Sequence, residues 1–144
     1  MASPHPDGDL FPAHGRVEVH PHGRVVYFEA TGPFNAEAVA VMRTAYTPIM
    51  ASMAEDGAFG HISTFHESML ATPEAFAAFG ALLVEWKAAG ILPTANAYVV
   101  GPEVEGVTIV QSHYRRAWEG ACFEIFERRD EAEAWIARML AEAS

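Results

Sequence analysis

The densest chemistry in the chain lies in the stretch His61-Ile62-Ser63-Thr64-Phe65-His66-Glu67-Ser68. On an extended strand, alternation puts His61, Ser63 and Phe65 on one face. A histidine beside a serine is a base beside a nucleophile. No Gly-x-Ser-x-Gly elbow surrounds either serine, and Glu67 is the one identifiable carboxylate for orienting an imidazole. Capping and packing account for the same residue types, and they rank first. Binding or partner contact ranks next and catalysis last. The candidate ligand- or partner-binding residues are therefore His61, Ser63, Thr64, His66, Glu67, Ser68 and Thr72, with no catalytic assignment.

Other residues invite chemistry and are read more simply. His5, His14, His20 and His22 gather near the start, and His20-x-His22 could reach one metal ion from a strand end. Such sites need more converging ligands, and Pro21-His22-Gly23 reads as a solvated turn, so no metal is assigned. Cys122 sits in an apolar stretch and reads as a small buried hydrophobe. Met42, Met50, Met53 and Met69 read as core filler, although methionines also adapt to ligands. Trp86, Trp118 and Trp135 fall on buried helix faces. Gly101-Pro102-Glu103-Val104-Glu105-Gly106 lacks the lysine of a phosphate loop, and its two carboxylates repel phosphate. No cofactor is expected.

The elements that must position these residues follow from spacing. Arg16–His20 alternates as a half-buried strand, and Arg24–Ala30 is more apolar and so more central. The short turn between them favours an antiparallel hairpin. Asn35 caps a helix whose stripe is Val39, Met42, Tyr46, Ile49, Met50 and Met53, with Pro48 marking a kink or change of direction. Ala58–Phe65 forms a third strand, weakened by Gly60. Thr72-Pro73-Glu74 opens a second helix with Phe76, Phe79, Leu83 and Trp86 on one face, and Gly90 ends it. Ala95–Val100 is the fourth strand.

Residues 103–118 fit either a helical stripe through Val107, Val110, Tyr114 and Trp118 or a β-branched strand at Val107–Val110. Helix is favoured because Arg115 to Glu119 continues the pattern. Cys122–Glu127 is the fifth strand, and Asp130 with Glu133 makes a capping-box-like start to the last helix. The fold class is α/β, a mixed five-stranded sheet with an N-terminal antiparallel hairpin and about four helices.

The order of elements and several motifs resemble the SpoIIAA-like family, related to STAS domains. The motifs are Gly32-Pro33-Phe34-Asn35-x-Glu37-Ala38-Val39, Thr72-Pro73-Glu74-Ala75 and Val104-Glu105-Gly106. Phe123-Glu124-Ile125-Phe126, followed by Asp130-Glu131-Ala132-x-Ala134-Trp135-Ile136, is the most specific of them. The resemblance covers roughly residues 15 to 140. It implies a domain without enzymatic activity that meets a partner protein or nucleotide through the edge between the third strand and second helix. Related lipid-carrying folds suggest a small hydrophobic ligand by analogy. In anti-sigma antagonists that edge carries a phosphorylated serine in an Asp-Ser-Ser-Gly-like motif. Here the corresponding stretch reads Ser63-Thr64-Phe65-His66-Glu67-Ser68, without the acidic residue and glycine of that motif.

Bulk properties set the outer bounds. The 144 residues suit one domain, with residues 1–14 expected as a disordered tail and 15–144 as the folded unit. A hydrophobic fraction of 51% supplies a core without disulfides or metals. The net charge of -10 disfavours nucleic acid and anionic membranes as partners. No apolar run approaches the ~18 residues of a spanning helix. A single cysteine and a start lacking signal-peptide features suggest a cytoplasmic protein. The expected partner is an unknown protein or a small apolar ligand. A small enzyme with a His/Ser pocket at the same edge, or a homo-oligomeric module such as a homodimer, are the alternatives.

Overall fold

The computed structural model describes residues 13–143. Most of the anticipated tail, and His5 with it, lies outside that range. His14 is the first residue with clear ties, since its backbone N–H donates to Asn35 Oδ1 and its carbonyl accepts from Asn35 N.

The chain runs β1 (Arg16–His22), β2 (Val25–Thr31), α1 (Ala36–Glu55), β3 (Gly60–His66), α2 (Pro73–Ala88), β4 (Ala95–Val99), α3 (Val107–Ala117), β5 (Phe123–Phe126) and α4 (Arg129–Ala143). The strands stand in chain order in one sheet. The β1/β2 pair is antiparallel and every other pair is parallel, as the hairpin and the strand–helix alternation require. Each parallel crossover steps one strand in the same direction. With uniform handedness this stacks α1, α2 and α3 on one face. The packing agrees: Val26, Phe28, Phe65 and Tyr98 share a core with residues of those helices. The opposite face, with Tyr27, Ile62, Ala97 and Val99, is covered by α4 through Ala132 and Ile136.

Local chemistry explains the element ends. Asn35 Oδ1 accepts from Ala38 N and Thr72 Oγ1 accepts from Ala75 N, so both caps work as their residue types suggest. Residues 107–117 are helix, settling the ambiguous stretch. Their cap is Gly106 at φ +91°, a left-handed position where a Cβ would also strike Leu70. Gly60 opens β3 for a packing reason. A Cβ there would lie 2.5 Å from Ile136 Cγ2, so glycine lets α4 approach the sheet. The α1 helix is assigned without a break through Pro48, and beside it Thr47 Oγ1 donates to the Arg43 carbonyl.

Three local expectations are corrected. Pro21 and His22 belong to β1, paired with Val26 and Val25, because the hairpin turns more tightly, at Gly23–Arg24. The last helix starts at Arg129, so Asp130 lies in its first turn, where it pairs with Arg128 instead of capping. Cys122 is exposed, because it precedes the short edge strand β5 instead of entering the core.

Arg24 ties the hairpin to the end of α1. Its guanidinium donates to the carbonyl of Met53 in the last turn of α1 and to those of Gly57 and Ala58 just past the helix, at 2.9, 2.7 and 3.1 Å. Arg24→Ala is expected to lower stability by about 1–2 kcal/mol. Urea denaturation checks this, and an unchanged midpoint would show that water replaces the guanidinium without loss.

Candidate functional site

The third strand delivers two of the seven candidate residues into one place. His61 and Ser63 point together toward α1, α2 and α3, and both are buried. They line a cavity of about 60 Å³ between the sheet and those helices. That is roughly four times the space one water needs. The wall is almost wholly apolar and largely aromatic. Phe28, Phe65 and Tyr98 come from the sheet and Trp118 from the end of α3, and half-buried Met42, Phe76 and Phe79 line it from α1 and α2.

The polar groups form a single line. Asn96, on β4 opposite His61 in register, places its Oδ1 3.1 Å from His61 Nδ1. His61 Nε2 lies 2.5 Å from Ser63 Oγ. The proton positions follow from the far end. Asn96 Nδ2 donates to the carbonyls of Pro93 and Cys122, at 3.2 and 3.1 Å. The amide is thereby oriented, and its oxygen must accept from a proton on Nδ1. In neutral imidazole that leaves Nε2 bare, so Ser63 donates its hydroxyl proton to Nε2. The ring stacks on Trp118 with centroids 5.4 Å apart and leans on Phe28 at 5.2 Å.

Burial among these rings disfavours the imidazolium. The Asn96 bond opposes that effect, but the His61 pKa is still lowered to about 4. Burial, the main cause in each case, also pushes the phenols of Tyr98 and Tyr114 up, so both stay protonated. Tyr114 donates to the Met69 carbonyl, while Tyr98 Oη accepts from Trp118 Nε1.

The other five candidates do not join this pair. Thr64 alternates to the opposite side of β3 and is register-paired with Glu29. His66 Nε2 lies 2.6 Å from Glu29 Oε1 at an exposed position. Glu67 is exposed and sits at φ +65°, its carbonyl accepting from Glu105 N. It is therefore not the group that orients the imidazole. Ser68 Oγ accepts from Leu70 N, and Thr72 caps α2.

The reason is that the loops after β2, β3 and β4 are zipped together. Backbone bonds join Gly32 to Ser68, Phe34 to Leu70 and Thr72, and Met69 and Glu67 to Glu105. This ladder joins the loops at the anticipated edge, where His66, Glu67 and Thr72 are exposed, and the cavity lies on the helix side of the sheet.

The metal-suggestive histidines are placed separately. His20 stacks on Tyr27, and among the described residues no group of three or more His, Cys, Asp or Glu is arranged to hold an ion. Of the methionines, Met50, Met53 and Met69 are core, whereas Met42 and Met50 also face the cavity. Trp118 has a double role as core and cavity wall, and Trp135 is only partly buried.

No family model and no curated protein sequence matches the chain. Among solved structures it is similar to an uncharacterized protein of the DUF3478 family with a SpoIIAA-like fold, from Shewanella loihica PV-4. The TM-score is 0.55 at 15% identity, over 94% of this chain and 98% of that one. The chain has a SpoIIAA-like fold. At that identity the similarity speaks for architecture alone. Within this SpoIIAA-like fold, the Asn96–His61–Ser63 line and its cavity are properties of the chain's own side chains. No helix among the described residues is long and apolar enough to cross a membrane.

A buried neutral histidine makes stability depend on pH. The unfolded imidazole takes up a proton near pH 6.5, whereas the folded one resists until about pH 4. Between those values the unfolded state binds more protons, so stability falls as pH falls and levels off below about 4. The loss attributable to His61 at pH 4.5 is about 2–3 kcal/mol. Denaturation of wild type and His61→Gln at pH 7 and pH 4.5 should show a shallower fall in the variant. Equal falls would show that the ring titrates normally.

Proposed function

We propose that this domain is a non-enzymatic binder of a small, mainly apolar ligand held between the sheet and α1–α3. The observation that carries the reading is the cavity itself, an aromatic-walled and almost wholly apolar space between the sheet and three helices. Small-molecule sites are typically concave and apolar, with a few fixed polar groups. Rings from both sheet and helices suit a compact, flat ligand, because aromatic pairs favour stacked and edge contacts. The resemblance to domains that act by binding supports the same reading. The cytoplasm is the proposed compartment, since the lone thiol of Cys122 is exposed and can form no intramolecular disulfide.

Toluene is a suitable first probe. At a hundredfold excess over Kd, a bound ligand adds about 2.7 kcal/mol, which is several degrees in Tm for a chain of this size. Ala75 is buried on the cavity wall, so Ala75→Met should fill the space and remove the effect. If toluene stabilises neither protein, or both equally, the cavity is not a ligand site.

A second reading is favoured by one observation, the amide–imidazole–hydroxyl line itself. That is the order of a base-activated nucleophile, with Ser63 as the attacking group. Two features weigh against it. Ser63 lies mid-strand between β2 and β4, where backbone amides are engaged in ladders on both sides and offer no ready oxyanion site. An imidazolium at His61 would also face an amide oxygen instead of a carboxylate. Incubation with a fluorophosphonate is therefore expected to leave the intact mass unchanged. A stoichiometric adduct mapped to Ser63 would overturn the non-enzymatic reading in favour of the enzyme.

A further inference from the structure

We infer that the cavity prefers a neutral aromatic ligand bearing a hydroxyl group, such as a phenol, over a carboxylate or a hydrocarbon of the same size. This rests on the apolar-ligand reading above and names its polar group. The argument begins with the proton count. A serine hydroxyl has one proton and two lone pairs. Ser63 gives its proton to His61 Nε2, because the fixed Asn96 amide puts the ring proton on Nδ1. What Ser63 has left is acceptor capacity, so a ligand group meeting it must donate.

A complementary group stands on the next strand. Tyr98 is the register partner of Ser63, lines the same cavity, and accepts from Trp118 Nε1 through its oxygen. Its own proton has no acceptor among the described residues. A buried donor without a partner is costly, so a ligand acceptor there is favourable. Ser63 thus offers lone pairs and Tyr98 offers a proton. A hydroxyl both donates and accepts, and answers both. A carboxylate has no proton to give Ser63 and would be a charge in apolar surroundings, while a hydrocarbon answers neither group.

Calorimetric titration of the full chain with phenol, toluene and benzoate at pH 7 tests this. Phenol is expected to bind at least as tightly as toluene, and benzoate not measurably. Ser63→Ala and Tyr98→Phe should each weaken phenol about tenfold, the scale of one buried hydrogen bond, and change toluene less than twofold. The inference alone is overturned if toluene binds and phenol does not, if benzoate matches phenol, or if both variants leave the phenol-to-toluene ratio unchanged. If neither toluene nor phenol binds, the apolar-ligand reading falls and this inference with it. The wild-type ranking decides the matter even where a variant fails to fold.

Discussion

Asn96 joins three parts of the chain that are far apart in sequence. Its side-chain nitrogen reaches the carbonyls of Pro93 and Cys122, its backbone N–H also bonds to Cys122, and its oxygen meets the imidazole of His61. The residue is fully buried, so each of these bonds replaces one that water would otherwise make. Removing any partner leaves a dry polar group, at about 1–3 kcal/mol. The network also fixes register. A slip of β3 against β4 by one residue would turn His61 to the α4 face and break the line at both ends. Entry to β4, entry to β5 and the tautomer of one histidine are therefore a single constraint.

The cavity depends on that constraint. His61 is held flat against Trp118, and Trp118 donates to Tyr98, which in turn meets Phe65, Tyr114 and Phe123. Many of these ring pairs meet at steep angles, close to 90° for Tyr98 with Phe123. Edge-to-face contacts between stiff rings fill space less freely than aliphatic chains do. Two phenols are also held in place by hydrogen bonds. The loop ladder over the strand ends ties α1, α2 and α3 to one another at their N-terminal approaches. A gap held by fixed rings below and tied loops above is a property of the framework, not of loose packing.

The parts legible in the sequence are those set by neighbours in the chain. The Asn35 and Thr72 caps, the hairpin and the shared face of His61 and Ser63 follow from local periodicity and side-chain chemistry. What was not legible depends on position in the sheet. Cys122 sits among apolar residues, yet an edge position leaves it exposed. Ser68 and Thr72 each accept a backbone N–H in the loop that leads to α2, and which amide Ser68 meets depends on the path of that loop. Asn96 carried one usable sign: a polar amide in Ala95-Asn96-Ala97-Tyr98, a strand otherwise fit for burial, must find partners. Which partners depends on β3 lying beside β4 in one register, and 35 residues separate Asn96 from His61.

The same burial that orders the His61–Ser63 pair decides what it is good for. A catalytic base must become positively charged in the act of taking the proton. Here the charge would arise between Phe28 and Trp118, with an amide dipole where a carboxylate would be needed to hold it. The pKa near 4 expresses that difficulty. The ground state gains from the same surroundings, since a neutral imidazole with both nitrogens engaged is content in apolar space. An amide, an imidazole and a hydroxyl in line thus have two outcomes depending on the environment. Beside a carboxylate and free backbone amides they activate a nucleophile. Sealed among aromatic rings in mid-sheet, they fix the direction of one hydroxyl proton, and a fixed proton direction is what a small neutral ligand can read.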